Sequence, residues 1–281
     1  MNESADPIVI VSAKRTAIGS FQGQFQTTPS TTLGATCIKA CTESAGIKGQ
    51  DVDQVIMGCV LPAGLGQAPA RQALIGAGLP QSTGATTINK VCGSGMQSII
   101  LAHDMILSGT AECMIAGGME SMTKAPYLVD RGLRMGHSQA LDHMFFDGLQ
   151  NPYDGNMMGH FAEKCVQKYD FTREAQDDFA RESVQRAVRA IAEGAFKDEI
   201  TAVQVRTRKG EISIDQDEEP SRCNVEKMAS LKPAFAKDGT VTAASSSKIS
   251  DGAAAVSLMR ESTAQAKGLT PMARIVAHSF H

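Results

Sequence analysis

The first 120 or so residues alternate between short β-branched runs and stretches with apolar residues at helical spacing. Ile8 to Val11 is four β-branched residues after a proline, the pattern of a buried strand. Ala13 to Gly23 then reads as a loop. Thr31 to Ala45 puts Leu33, Cys37, Ile38 and Cys41 on one face of a helix, and Gly46 stands where a C-terminal cap belongs. Gln54 to Cys59 is a second strand, Pro69 to Ala77 a short helix stopped at Gly78, and Thr86 to Ile88 another β-leaning piece. Met96 to Leu107 reads as a helix with little polar surface, expected to lie buried between sheets. Cys113 to Gly118 is a strand that ends in a glycine pair. Alternating strands and helices with short links predict a layered α/β domain.

After Ser121 the pattern changes. Residues 124–155 show no periodicity and carry Pro126, Gly132, Gly136, Gly148 and Pro152; a stretch this long predicts a functional loop or an inserted subdomain. Met157 to Tyr169 and a second helix from Thr172 follow, the latter with an apolar stripe of Ala180, Val184, Ala187, Val188 and Ile191. Ile200 to Val205 and Glu211 to Ile214 flank Arg208-Lys209-Gly210 as a hairpin. Asp215 to Glu219 is acidic without calcium-loop spacing, which predicts a solvated turn. Asp251 to Met259 reads as a strand returning to the first domain. Glu261 to Lys267 is a helix, and Ala273 to His278 a last strand.

Composition narrows the classes. With 42% apolar and 20% charged residues, the 281-residue chain is an ordinary globular sequence. A net charge of −3, with no basic run interleaved with aromatics, argues against nucleic acid as a partner. The apolar runs are too short to span a bilayer, so no membrane partner is expected. The N-terminus lacks the features of a secretory signal. Seven cysteines without a Cys-x-x-Cys pair predict reduced thiols and a cytoplasmic location. Cys37 and Cys41 have no histidine or second thiol pair beside them, so both read as core, and no metal is expected. The six histidines are scattered without a signature and read mostly as surface residues.

The chemistry concentrates at Ile88-Asn89-Lys90-Val91-Cys92-Gly93-Ser94-Gly95-Met96. The Gly-Ser-Gly turn lets backbone crowd the cysteine. The helix start behind it offers unpaired N–H groups and a positive dipole end, which favour a thiolate. Cys92 thus reads as a nucleophile on a strand-to-helix elbow, with a small packing cysteine as the alternative on local grounds.

This stretch, followed by Ala116-Gly117-Gly118-Met119-Glu120-Ser121-Met122, is similar to the two N-terminal signatures of the thiolases. Val9 to Gly19, Lys232-Pro233-Ala234-Phe235, Gly239 to Ala243 and Asp251 to Ala255 resemble that family too, in order along nearly the whole chain. The resemblance implies a layered α/β/α core with an inserted loop domain. Residues 1–121 would be the core, 122–240 the loop domain that covers coenzyme A and aids oligomerisation, 241–272 the return to the core, and 273–281 the first strand of a further domain. It implies acetyl-CoA C-acetyltransferase chemistry, in which two acetyl-CoA condense to acetoacetyl-CoA or a 3-ketoacyl-CoA is cleaved by CoA. A thioester on Cys92 is the intermediate, and coenzyme A thioesters are substrates rather than cofactors. Carried over by position, Ser247 would contact the pantetheine arm, while Leu149, Met158, Phe235 and Ala243 would line its tunnel. A homo-oligomer, dimer or tetramer, or a complementing C-terminal chain is the implied partner.

Two departures stand out. Ala244-Ser245-Ser246-Ser247 and Ile249-Ser250-Asp251-Gly252 replace the family's asparagine-containing versions. The family's Asn-Glu-Ala-Phe, Gly-His-Pro and Cys-x-Gly-Gly-Gly segments do not occur, so catalysis is expected to require C-terminal residues beyond this sequence. The alternatives are a non-catalytic CoA-binding or scaffold protein of thiolase descent and a redox-sensing thiol protein.

Overall fold

The computed structural model describes residues 6–208 and 210–279; Lys209 and His281 fall outside these. In order, the chain builds β1 (Ile8–Arg15), β2 (Gly19–Ser20), α1 (Ser30–Ala45), β3 (Gln54–Gly58), α2 (Pro69–Gly76), β4 (Gly84–Ile88), α3 (Ser94–Leu107) and β5 (Cys113–Ser121). Next come the hairpin β6 (Tyr127–Val129) and β7 (Ala140–Asp142), helices α4 (Met158–Tyr169) and α5 (Arg173–Glu193), the hairpin β8 (Val203–Thr207) and β9 (Gly210–Ile214), and α6 (Glu219–Arg222). The chain then forms β10 (Ser250–Arg260), α7 (Glu261–Ala266) and β11 (Ala273–Arg274).

One mixed sheet organises the molecule, in the order β11-β1-β10-β5-β3-β4, with β2 pairing onto β10. β3 runs parallel to both neighbours, while β10 is antiparallel to β1 and β5. Period-two alternation decides which layer each strand residue meets. Val9, Val11, Cys113 and Ile115 join the core beneath α1 and α2. Ile8, Met114 and Ala116 join Ala102 and Ile106 of α3 on the opposite face. The result is the helix–sheet–helix layering expected of the sequence. Both Cys37 and Cys41 are fully buried, their thiols donating to the carbonyls of Ala253 and Ala255.

Helix ends follow local chemistry. Gly46 takes a left-handed φ of 66° and its N–H returns to Glu43, closing α1. The Thr172 hydroxyl accepts from the Ala175 N–H to start α5, and Gly194 at φ 72° ends it. Among the described residues, the segment between β5 and β10 adds no strand to the large sheet; its two hairpins stand apart. Among the described residues, no helix is long and apolar enough to cross a membrane.

Several expectations need correction. β1 continues to Arg15 through the supposed loop, because Ser12 to Arg15 pair with Ala254 to Ser257 beyond a register shift. α3 buries Ser98, Ala102 and Ile106 against the sheet, but Met96 is 71% exposed, so no second sheet covers its outer face among the described residues. Residues 124–155 contain the β6–β7 hairpin and a π-helical turn at Met144–Leu149. The last strand shrinks to Ala273–Arg274, where it pairs with Ile10 and Val9. The acidic run is no solvated turn. Asp217 accepts from the Arg15 guanidinium and the Ile18 N–H, and Glu218 accepts from the N–H groups of Ser20 and Gln24.

Candidate active site

β4 and α3 deliver Cys92 to the surface through an elbow of residues 89–93. Val91 sits at φ 48°, a left-handed conformation that a β-branched side chain disfavours by about 1–3 kcal/mol. The Asn89 carboxamide oxygen holds it there by accepting the Val91 N–H at 2.8 Å. Ser94 finishes the turn: its hydroxyl accepts from the Lys90 N–H at 2.8 Å and donates to the Val91 carbonyl at 2.6 Å. The amides of Gly93 and Ser94 are taken up by the carbonyls of Lys90 and Val91. Those two N–H groups are therefore not left unpaired toward the sulfur, as the sequence suggests.

Beneath the elbow the sheet offers a floor of glycines. A Cβ on Gly58 would lie 2.6 Å from that of Ser94, and one on Gly118 would lie 3.2 Å from the Gly95 Cα. The start of α3 thus rests directly on the ends of β3 and β5. The Ser98 hydroxyl, 2.7 Å from the carbonyls of both Gly95 and Gly117, fastens helix to strand. Cys92 is exposed, whereas Cys37, Cys41, Cys59 and Cys113 are buried.

Cys92 opens onto a cleft of about 400 Å³ shared with Val91, Leu149, Glu120, Asp251 and Arg15. Burial pushes the Glu120 carboxyl above its ordinary range, although the N–H groups of Val60 (2.7 Å) and Leu61 (3.2 Å) donate to it. Burial likewise raises Asp251, which accepts from the Thr123 N–H at 3.0 Å. Among the described residues lining the cleft there is no histidine and no second thiol.

The residues singled out by resemblance divide among three places. Leu149 shares the cleft with Cys92. Ala243 and Ser247 line a second cavity of about 660 Å³, together with Arg222, Lys227, Lys248 and the apolar Phe179, Met228 and Leu231. Met158 and Phe235 line neither cavity: Met158 is 43% exposed at the start of α4, and the Phe235 ring covers Gly159 so closely that a Cβ there has no room. The loop leading into β10 joins the two cavities, since Ser247 lines one and Ser250 the other. These two residues lie at most about 10 Å apart along the chain.

Sequence reasoning missed five residues here. Arg222, Lys227 and Lys248 carry no motif. His143, treated as a surface residue, is 5% exposed, with Nδ1 2.5 Å from Asp147 and Nε2 buried without a hydrogen-bond partner. Glu163, on α4, holds the second cavity's loop by accepting the N–H groups of Thr240 and Val241 at 3.0 and 2.9 Å. Spacing alone gave no signal for any of them.

Known proteins share this sequence and fold. Residues 8–262 match the thiolase N-terminal domain. The acetyl-CoA acetyltransferase of Pseudomonas aeruginosa is 50% identical over 277 residues, which is 97% of this chain and 70% of that protein. Its Escherichia coli counterpart is 50% identical over 276 residues, 96% of this chain and 70% of that one. A crystal structure of the Bacillus anthracis acetyl-CoA acetyltransferase superposes with a TM-score of 0.93 at 37% identity, covering 96% of this chain and 70% of that one. The Ascaris suum Acat5 thiolase, solved in complex with coenzyme A, gives 0.91 at 39% identity, with the same coverage of 96% and 70%. By sequence match along almost all its length and by fold, this chain belongs to the thiolase family.

Proposed function

We propose that the chain carries the acyl-accepting half-reaction of an acetyl-CoA acetyltransferase, with Cys92 as the acceptor. The observation that carries this reading is an exposed cysteine on a strained elbow at the mouth of a cleft. In the proposed step the Cys92 thiolate attacks the thioester carbonyl of acetyl-CoA. A new S–C bond forms, the bond to the CoA sulfur breaks, and the departing CoA thiolate takes up a proton. A soft sulfur nucleophile suits a thioester, and splitting the transfer in two lowers each barrier. In the second half-reaction the enolate of another acetyl-CoA attacks the acyl group to give acetoacetyl-CoA; thiolysis of a 3-ketoacyl-CoA is the reverse. With no histidine or second thiol among the described cleft residues, the proposed enolate step needs groups from outside them.

The second cavity is the proposed seat of coenzyme A. Arg222, Lys227 and Lys248 supply positive charge suited to its phosphates, and Ala243 and Ser247 border the path of the pantetheine arm toward Cys92. Met158, at the start of α4, and Phe235, packed on Gly159 of that helix, are proposed to shape that path. Residues 122–240 are proposed as the loop domain that covers the cofactor-like arm, and 1–121 with 241–272 as the core. The chain after β11 is proposed to lead into a further domain, and the assembly is proposed to be a cytoplasmic homo-oligomer.

Intact-mass and peptide mass spectrometry after incubation with acetyl-CoA tests the reading. One acetyl group on Cys92, absent in Cys92→Ser, is the expected result. Failure to acetylate, or acetylation of Cys165 and Cys223 alone, would overturn it. Oxidation of Cys92 without acylation would favour a redox role instead.

A further inference from the structure

At the opposite end of α3 from Cys92, three side chains converge that the thioester chemistry does not use. His103 Nδ1 lies 2.9 Å from Asp104 Oδ1, His278 Nε2 lies 3.0 Å from the same oxygen, and the two nitrogens are 3.3 Å apart. The imidazoles meet nearly edge to face, with ring centroids 5.0 Å apart at 83°. His103 and His278 keep 15% and 22% of their side-chain surface exposed and Asp104 45%, so the site is walled but open to solvent.

We infer that His103, Asp104 and His278 form a binding site for a divalent transition-metal ion of the zinc type. Zinc binds imidazole nitrogen at about 2.0–2.1 Å and carboxylate oxygen at about 2.0–2.2 Å, tetrahedrally, which puts neighbouring ligand atoms about 3.3 Å apart. The triangle already present needs an expansion of only a few tenths of an ångström to hold such an ion, with water in the open position. Two imidazoles select borderline-soft ions over magnesium or calcium, which take all-oxygen shells. Asp104 Oδ1 faces both ring nitrogens.

The site has a structural consequence. β11 is two residues long and pairs only at the sheet edge. His278 lies just beyond it, so a bound ion clips the chain after β11 onto α3. An ion that binds the folded chain alone raises its stability.

Cobalt(II) and zinc(II) titrated into chelator-stripped protein test the proposal. The expected result is one equivalent of cobalt with visible d–d absorption of tetrahedral type and no thiolate-to-cobalt charge-transfer band. Zinc should displace it and raise the melting temperature, while magnesium should do neither. His278→Gln and Asp104→Asn should each abolish the signal. Asp104 is the most exposed of the three, so Asp104→Asn keeps the test decisive if His278→Gln does not fold. Absence of binding would show the cluster to be a hydrogen-bonded contact and overturn the proposal. So would cobalt bound through sulfur only, or binding unchanged in Asp104→Asn.

Discussion

Arg15 and Asp217 form a bidentate ion pair across 202 residues of chain, with Nη1 2.7 Å from Oδ1 and Nη2 3.0 Å from Oδ2. The same guanidinium donates through Nε to Glu199 at 2.6 Å and lies 5.0 Å from the Phe196 ring centroid. Asp217 also accepts the Ile18 N–H at 2.8 Å. The pair thus ties the end of β1 to the chain around β8 and β9. Asp217→Ala is expected to lower stability by about 2–3 kcal/mol, less than a fully buried pair because both partners keep some solvent contact. Arg15→Lys should recover only part of the loss, since an ammonium cannot make the two parallel bonds. Urea unfolding of both variants checks this; wild-type stability in Asp217→Ala would refute it.

Val91 holds strain that the fold does not need. Its side chain is 49% exposed, so Val91→Gly loses little packing while relieving the left-handed backbone. A stability gain of about 1 kcal/mol is expected. If the proposed acyl transfer uses a rigid elbow, acetylation of Cys92 should slow at the same time. A variant both less stable and equally reactive would count against this account of the turn.

Gly58 matters because a methyl there would enter the space of Ser94. Gly58→Ala is expected to fold with a cost of about 1–3 kcal/mol and to displace the start of α3. Thiol acetylation should fall more than stability does. Gly46→Ala is the control, since a Cβ there meets nothing within 4 Å and only the left-handed φ is strained. Equal acetylation rates in the two variants would sink the idea of a glycine floor.

Glu120 and Glu218 should bend the pH profile of stability in opposite senses. Burial holds the Glu120 carboxyl above its ordinary range, so the folded chain binds this proton more tightly than the unfolded chain. Its contribution is full below the unfolded value and declines as pH rises toward the folded one. For Glu218 burial also pushes upward, but the N–H groups of Gln24 and Ser20 and the charge of Arg222 win and hold it low. Its contribution is present above the unfolded value and is lost as pH falls through the folded one. Glu120→Gln should flatten the decline on the upper side of the carboxylate range, and Glu218→Gln the loss on the acid side. Melting temperatures across that range decide it; parallel curves would contradict the assignment.

Thiol reactivity should follow exposure. Burial pushes Cys37, Cys59 and Cys113 up to about 12 and Cys41 to about 11, leaving them protonated and covered. A disulfide reagent is expected to label Cys92 and Cys165 fast in the native chain, Cys223 more slowly, and the four buried thiols only after unfolding. Rapid labelling of Cys59 without denaturant would contradict the burial described.

The sequence by itself determined what depends on neighbours along the chain. Period-two and helical spacing marked β1, α1, β3, α2 and β5, glycines marked the ends of α1 and α2, and the turn around Cys92 was legible as an elbow because its hydrogen bonds span only a few residues. Tertiary structure decided what depends on distant partners. The acidic run became an anchor because Arg15 and the Ser20 and Gln24 amides come to meet it. His143 became buried and His278 joined His103 and Asp104, all through contacts that no local pattern encodes. The cleft and the basic cavity likewise exist only once β5, β10, α5 and α6 are brought together. Their charges are then desolvated or paired by groups far away in sequence, and this is what sets the ionisation of Glu120 and the surroundings of Ser247.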